Sequence, residues 1–262
     1  MSEPLITYQL DGSIALIGLN RPDKRNAIND PLIDELRAAV LRAHEEADVA
    51  VLFGHGSNFC AGLDLAEALA RATGQIKAPR KRKRHNWHEV FDLIARGPIP
   101  FVAALHGAVV GGGLELAMAA HVRVCDDTAL FGLPEGQRGI FVGGGGTVRI
   151  QRVVGTTVMM DMMLTGRLLT PAEGLQEHVV RYVTPAGEAL AKAKDLAVRI
   201  GKNSLDTNWM IINVLPRIHD MSHDDGLFVE QLNSARARPP EAEARLREFV
   251  DGKAKKLQDN QA

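Results

Sequence analysis

Two glutamates in this chain each close a stretch in which apolar residues give way to small ones, and both are placed for acid–base work. Glu115 stands two residues past the triplet Gly111-Gly112-Gly113, and Glu135 follows Phe131-Gly132-Leu133-Pro134. A pair of carboxylates can hold one water between them, one taking its proton while the other delivers a proton to carbon. Leu63 and Gly112 join them as candidates for their backbone N–H groups, because each lies in a glycine-containing turn where the main chain can approach a ligand closely. Two converging amides can grip a carbonyl oxygen as negative charge grows on it, a contribution of about 3 kcal/mol per donor.

Each of these residues has a plainer reading. Gly62 and Gly112 could satisfy turn geometry alone. Glu115 could stabilise a helix N-terminus, and Glu135 could be a loop carboxylate in solvent. Burial weighs against the plain reading of Glu115, since an ionised carboxylate among Leu114, Leu116, Ala117 and Met118 is unfavourable without partners. Recurrence weighs against it too. Phe59–Leu65, Gly111–Glu115 and Phe131–Gly136 all run from an apolar stretch into a small-residue turn, and Gly143–Gly146 follows the last of them.

The elements that would position these groups alternate between strand and helix. Residues 5–10 and 13–19 read as a hairpin around Asp11-Gly12. A helix follows with Asp30 as its N-cap, Pro31 at its first position and Leu32, Leu36, Val40 and Ala43 as its apolar face. Strands are expected near 49–53, 101–105, 121–125 and 129–131, and helices near 64–72, 86–96 and 113–120. The strand at 101–105 is taken to feed the glycine triplet. Two helices are expected at 147–154 and 157–163, and Thr170-Pro171-Ala172-Glu173 spells a capping box. From about residue 188 onward only helical periodicity remains, over 189–200, 205–219, 225–237 and 240–256. The chain therefore reads as an α/β body over 1–190 with a helical part over 191–262.

Bulk properties exclude several function classes. With 31 basic against 32 acidic residues the net charge is −1, so no global field points to nucleic acid or an anionic membrane. Two cysteines, Cys60 and Cys125, make no disulfide framework. A reducing, cytoplasmic setting is expected, since Met1-Ser2-Glu3-Pro4 lacks a signal-peptide pattern and no run suits a membrane span. Nine scattered histidines offer no metal-ligand spacing, and no metal is expected. His106, His121 and His178 read as structural, and Cys60 as a small packed hydrophobe. Trp87, Phe91, Leu93 and Ile94 read as core or pocket wall. The basic run Arg80-Lys81-Arg82-Lys83-Arg84 reads as a solvated loop, with attraction of substrate phosphates as the lesser alternative.

Taken in order and spacing, Phe59–Leu65, His106–Met118 and Phe131–Gly146 resemble the crotonase superfamily, in particular enoyl-CoA hydratases. The resemblance covers nearly the whole chain, including Asn20-Arg21-Pro22 and the helical tail. It implies a crotonase-like spiral of ββα units with a C-terminal helical trimerisation region, assembled as a homotrimer or a dimer of trimers. It also implies a backbone oxyanion hole at Leu63 and Gly112, with Glu115 activating water and Glu135 exchanging the proton at the α carbon. The substrate would be an acyl-CoA, its coenzyme A held by Lys24, Arg25, Ala27, Asp64 and Leu65, with Phe249 and Lys253 of the last helix matching a further pair. No separate cofactor is implied. Hydration of a 2-enoyl-CoA is the expected reaction. Isomerase, thioester hydrolase and carbon–carbon lyase activities on the same scaffold stay open, and a non-enzymatic acyl-CoA binder is the reading from another class. Two departures bear on the choice. Leu63 stands where alanine is common, and Ile140-Phe141-Val142-Gly143 replaces the usual Ile-Pro-Gly segment.

Overall fold

A computed structural model of the chain describes residues 3–76, 86–236 and 240–252. The basic run at 80–84 and Lys253 lie outside those residues. The chain divides into two units, Met1–Gly201 and Lys202–Ala262. In the first, the elements in chain order are β1 (Ile6–Asp11), β2 (Ile14–Leu19), α1 (Asp30–Glu46), β3 (Val49–Gly54), α2 (Leu65–Ala72), α3 (Asn86–Arg96), β4 (Phe101–Leu105), β5 (Ala108–Val110), α4 (Gly112–Ala117), β6 (Val122–Asp126), β7 (Leu130–Gly132), α5 (Gly146–Thr165), β8 (Leu168–Leu169), α6 (Pro171–Gln176), β9 (Tyr182–Thr184) and α7 (Ala189–Ile200). The second unit holds α8 (Leu205–Asn213), α9 (Leu215–Ile218), α10 (His223–Arg236) and α11 (Pro240–Val250).

A six-stranded sheet runs in the order β1-β2-β3-β4-β6-β9. Only the β1–β2 hairpin is antiparallel, and every other pair is parallel. Parallel strands are covered on both faces, and alternate residues here go to opposite sides. Ile17, Leu52, Phe101 and Leu105 join the larger core with Leu32, Leu36 and Val40 of α1. Leu16, Val49, Val51, Val102 and Val124 face the other way, against Ala189, Ala193, Leu196 and Ala197 of α7. The unit boundary accordingly falls after Gly201 and not at residue 190. Periodicity alone groups helix α7 with the helices that follow it, yet its small-residue face covers the sheet.

A second sheet, β5-β7-β8, is the piece that carries the glycine triplet. The strand feeding Gly111 is therefore the short β5, not β4, which ends six residues earlier. Three-residue strands leave no period to read, and that is why β5 escapes sequence inspection. The predicted helices at 147–154 and 157–163 form one span, α5, broken at Gly155 (φ 80, ψ 156). The N-cap of α1 is Asn29, whose side chain accepts from the Leu32 N–H, and Asp30 is the first helical residue. The capping box at Thr170 is formed in full. Sequence periodicity over 205–219 resolves into α8 and α9. The helices of the second unit leave Trp209, Leu215, Phe228, Leu232 and Phe249 exposed.

Candidate active site

The turn after β3 is stitched on both sides. On one side Cys60 pairs with β5, its N–H donating to the Ala108 carbonyl at 2.9 Å and its carbonyl accepting from the Val110 N–H at 3.1 Å. On the other, Ile28 bridges Leu63 through its N–H to the Gly62 carbonyl (2.7 Å) and its carbonyl from the Asp64 N–H (2.9 Å). In such a parallel bridge the flanking groups face the partner, so the N–H of Leu63 itself points to the opposite side. Gly62 between these stitches has φ +86, and a Cβ there would lie 2.6 Å from the Val110 carbonyl and 3.1 Å from the Gly112 nitrogen. Only glycine brings the two segments this close. Gly112 opens α4, where a first-turn N–H has no partner within the helix. The Leu63 and Gly112 turns are thereby brought side by side.

Glu115 projects from the first turn of α4 and is 2% exposed. Its Oε1 accepts from the Gly144 N–H at 2.7 Å and the Gly146 N–H at 2.8 Å. Gly146 begins α5, so the carboxylate also meets the positive end of that helix. A Cβ on Gly146 would sit 2.8 Å from Glu115 Oε1, which explains the glycine there. Arg149 ties the same loop down, donating from Nη2 to the Gly144 carbonyl (2.8 Å) while Nη1 pairs with Asp92 (3.0 Å). Glu135 is 6% exposed, and its Oε2 has no hydrogen-bond partner within the chain. Burial pushes its carboxyl above the usual carboxylate range, and the charge of Glu115 adds to this against an opposing effect of Arg138.

Both glutamates, Leu63 and Gly112 line a single cavity of about 600 Å³. Lys24, Arg25, Ala27, Asp64 and Leu65 line it as well, so nine of the residues singled out from sequence meet there. Phe249 lies exposed on α11 in the second unit. The loop bearing Lys24 and Arg25 is held open by Asn26, which is fully buried. Its side chain donates to the His55 and Asn58 carbonyls and accepts from the Arg21 N–H. Arg25 and Asn26 both take the left-handed conformation, φ 52 and 54, a strain that persists where surrounding contacts over-determine it. Asp64 caps α2 and pairs with Arg21 at 2.7 Å. Burial pushes its carboxyl up, but the Arg21 guanidinium and the Glu67 and Ala66 N–H groups outweigh it and hold it below the usual range.

Several contributors were not singled out from sequence. The amides of Gly144 and Gly146 satisfy Glu115, and the signal for them was present, because a buried acid demands donors and a four-glycine run at a helix start can supply them. Trp87, which the sequence does mark as core or pocket wall, lines the cavity, its ring so near Gly112 that a Cβ there would clash with it. Arg138, Ile140 and Phe141 line the cavity around Glu135. Ile140 and Phe141 belong to the segment that departs from the usual Ile-Pro-Gly, whereas nothing in the spacing marks Arg138, which ends the three-residue 3₁₀ turn Gly136–Arg138. Among the described residues, no cluster of histidine, cysteine or acid could hold a metal ion, and no helix is long and apolar enough to cross a membrane.

Comparison with known proteins places this geometry in context. A family model described as enoyl-CoA hydratase/isomerase matches residues 9–233. A solved structure from Rhodopseudomonas palustris, of a protein proposed to be an enoyl-CoA hydratase, superposes with a TM-score of 0.86 at 40% identity, covering 97% of each chain. A Mycobacterium bovis protein named "Probable enoyl-CoA hydratase" is 30% identical over 97% of this chain and 98% of its own. An Arabidopsis thaliana protein, "Probable enoyl-CoA hydratase 2, mitochondrial", is 34% identical over 85% of this chain and 73% of its own. The mixed α/β architecture with its parallel sheet and C-terminal helices is that of the crotonase fold.

Proposed function

This chain belongs to the enoyl-CoA hydratase/isomerase family, and from that premise we propose that it adds water across the 2,3 double bond of an acyl-CoA thioester. The observation that carries the reading is the pairing of two buried acids in unlike environments on one cavity. Glu115 has its Oε1 clamped by two amides, and Glu135 is pushed by burial toward its protonated form. A carboxyl pushed toward its protonated form beside a second carboxyl whose geometry is fixed by amides is how one site can supply both an acid and a base.

In this mechanism the thioester oxygen accepts from the N–H groups of Leu63 and Gly112. The free oxygen of Glu115 takes a proton from water as the water oxygen bonds to C3. Electrons of the C2–C3 double bond move onto the carbonyl oxygen, giving an enolate held by the two amides. Collapse of the enolate draws the proton of Glu135 to C2. Glu115 ends protonated and Glu135 ionised, and one proton passing between them through water restores the start. A 3,2-isomerase moves one proton between carbons and needs a single acid. The second buried acid, anchored by two amides, favours hydration.

Lys24 and Arg25 supply positive charge at the cavity wall for the phosphates of coenzyme A. No cofactor beyond the coenzyme A of the substrate is required. The exposed apolar residues of the second unit are the surface through which copies would associate as trimers or dimers of trimers. The activity is tested by Glu115→Gln and Glu135→Gln on crotonyl-CoA. Each is expected to lower kcat by about 10²- to 10⁴-fold in a folded protein. Wild-type turnover in both would refute the two-acid mechanism.

A further inference from the structure

The cavity that holds the two acids also presents a guanidinium, Arg138, which neither the proton transfers nor the coenzyme A contacts use. It follows Glu135 by one 3₁₀ turn, Gly136–Arg138, and is exposed. Despite that proximity it does not pair with Glu135, whose Oε2 has no hydrogen-bond partner. Its Nη1 donates to the Pro134 carbonyl at a long 3.3 Å. Among the described residues no carboxylate lies within ion-pairing distance of it. A guanidinium carries five donors in a planar fork that matches a carboxylate two bonds at a time, and within the described residues Arg138 uses one of them, at the Pro134 carbonyl.

Its neighbours narrow what could meet those donors. Ile140 and Phe141 line the same stretch of wall, so the ligand part beside Arg138 is otherwise apolar. Three residues of 3₁₀ helix advance the chain by about 6 Å. Arg138 thus stands one 3₁₀ turn beyond Glu135 on the wall of the same cavity, where the part of an acyl group beyond its reacting carbons would pass. Phosphates of coenzyme A have their own cations in Lys24 and Arg25, on the loop stitched to the Leu63 turn.

We propose that Arg138 is a specificity determinant that binds a carboxylate at the far end of the acyl group, so that the preferred substrate is a short 2-enoyl thioester of a dicarboxylic acid. The inference rests on the hydratase reading for its reaction and not for its binding. Two measurements keep the two apart. The first compares kcat/KM for glutaconyl-CoA, five carbons ending in a carboxylate, with that for 2-pentenoyl-CoA, in the wild type, Arg138→Lys and Arg138→Gln. Wild type should favour glutaconyl-CoA, and Arg138→Gln should cut that preference by about 10- to 100-fold, chiefly through KM, with Arg138→Lys intermediate. The second titrates the saturated thioesters glutaryl-CoA and pentanoyl-CoA by calorimetry. Glutaryl-CoA should bind more tightly to wild type, and Arg138→Gln should remove the difference. Equal affinities in wild type, a preference that survives Arg138→Gln, or an equal fall on both substrates with a displaced pH profile would overturn the assignment. The last pattern would make Arg138 a partner of Glu135 alone. If neither enoyl thioester turns over while the binding difference holds, the hydratase reading fails and the carboxylate site stands.

Discussion

Removing Glu115 in two different ways separates its chemistry from its structural work. Gly144 and Gly146 are buried, and both donate to the same oxygen of this side chain. Glu115→Ala leaves two buried N–H groups without an acceptor, at about 1–3 kcal/mol each, or about 2–6 kcal/mol together. A domain holds only about 5–15 kcal/mol in all, so this variant should unfold at a visibly lower denaturant midpoint. Glu115→Gln keeps an oxygen in the same place. Each bond then falls from charge-assisted to neutral, about 1 kcal/mol apiece, and release of a buried charge offsets part of that. The glutamine variant should therefore stay within about 2 kcal/mol of wild type by urea unfolding, yet lose turnover of crotonyl-CoA as fully as the alanine variant. An alanine variant as stable as wild type would refute the amide clamp. A glutamine variant with wild-type kcat would refute Glu115 as the proton acceptor.

Gly62→Ala should fail on two counts, because φ is +86 and the new Cβ meets the Val110 carbonyl at 2.6 Å. The left-handed strain alone is about 1–2 kcal/mol, and displacement of the Leu63 N–H should lower kcat by about 10²- to 10³-fold, read by steady-state kinetics beside a thermal melt. For Glu135 the folded carboxyl titrates above its unfolded value of about 4.3. The native state thus holds its proton more tightly, and the stability this gives is full at acid pH and is lost as pH rises through the folded value. Glu135→Gln should flatten that part of the pH–stability curve and raise Tm at neutral pH. A variant that melts below wild type at pH 7, with the same acid-side slope, would contradict it.

Much of the candidate site was legible because the residues that share the cavity coincide with strong local signals. Glu115 and Glu135 stand out as acids in apolar, glycine-broken runs, and Leu63 and Gly112 follow from the glycines beside them. Helix boundaries were read well where a cap and a period agree, as at Thr170 and over Ala189–Ile200. What escaped was set by contacts distant in sequence. The β5–β7 pairing is three residues long and gains its meaning only when Cys60 zips onto it. Asn26 looks like any loop residue until its side chain is seen bridging two carbonyls across about thirty positions. Helix α7 reads as part of the helical tail because periodicity reveals which face is apolar but not what covers it. Arg138 carries no signal at all, since a short 3₁₀ turn decides where it points.

The central claim is that this cavity delivers water to C3 of an enoyl thioester held by the Leu63 and Gly112 amides. Incubation with crotonyl-CoA in ¹⁸O-labelled water, followed by mass spectrometry of the products, tests it most directly. The account predicts intact 3-hydroxybutyryl-CoA bearing one heavy oxygen at C3, formed by wild type and not by Glu115→Gln. Heavy oxygen in a freed carboxylic acid, or a double bond moved with no oxygen incorporated, would contradict it.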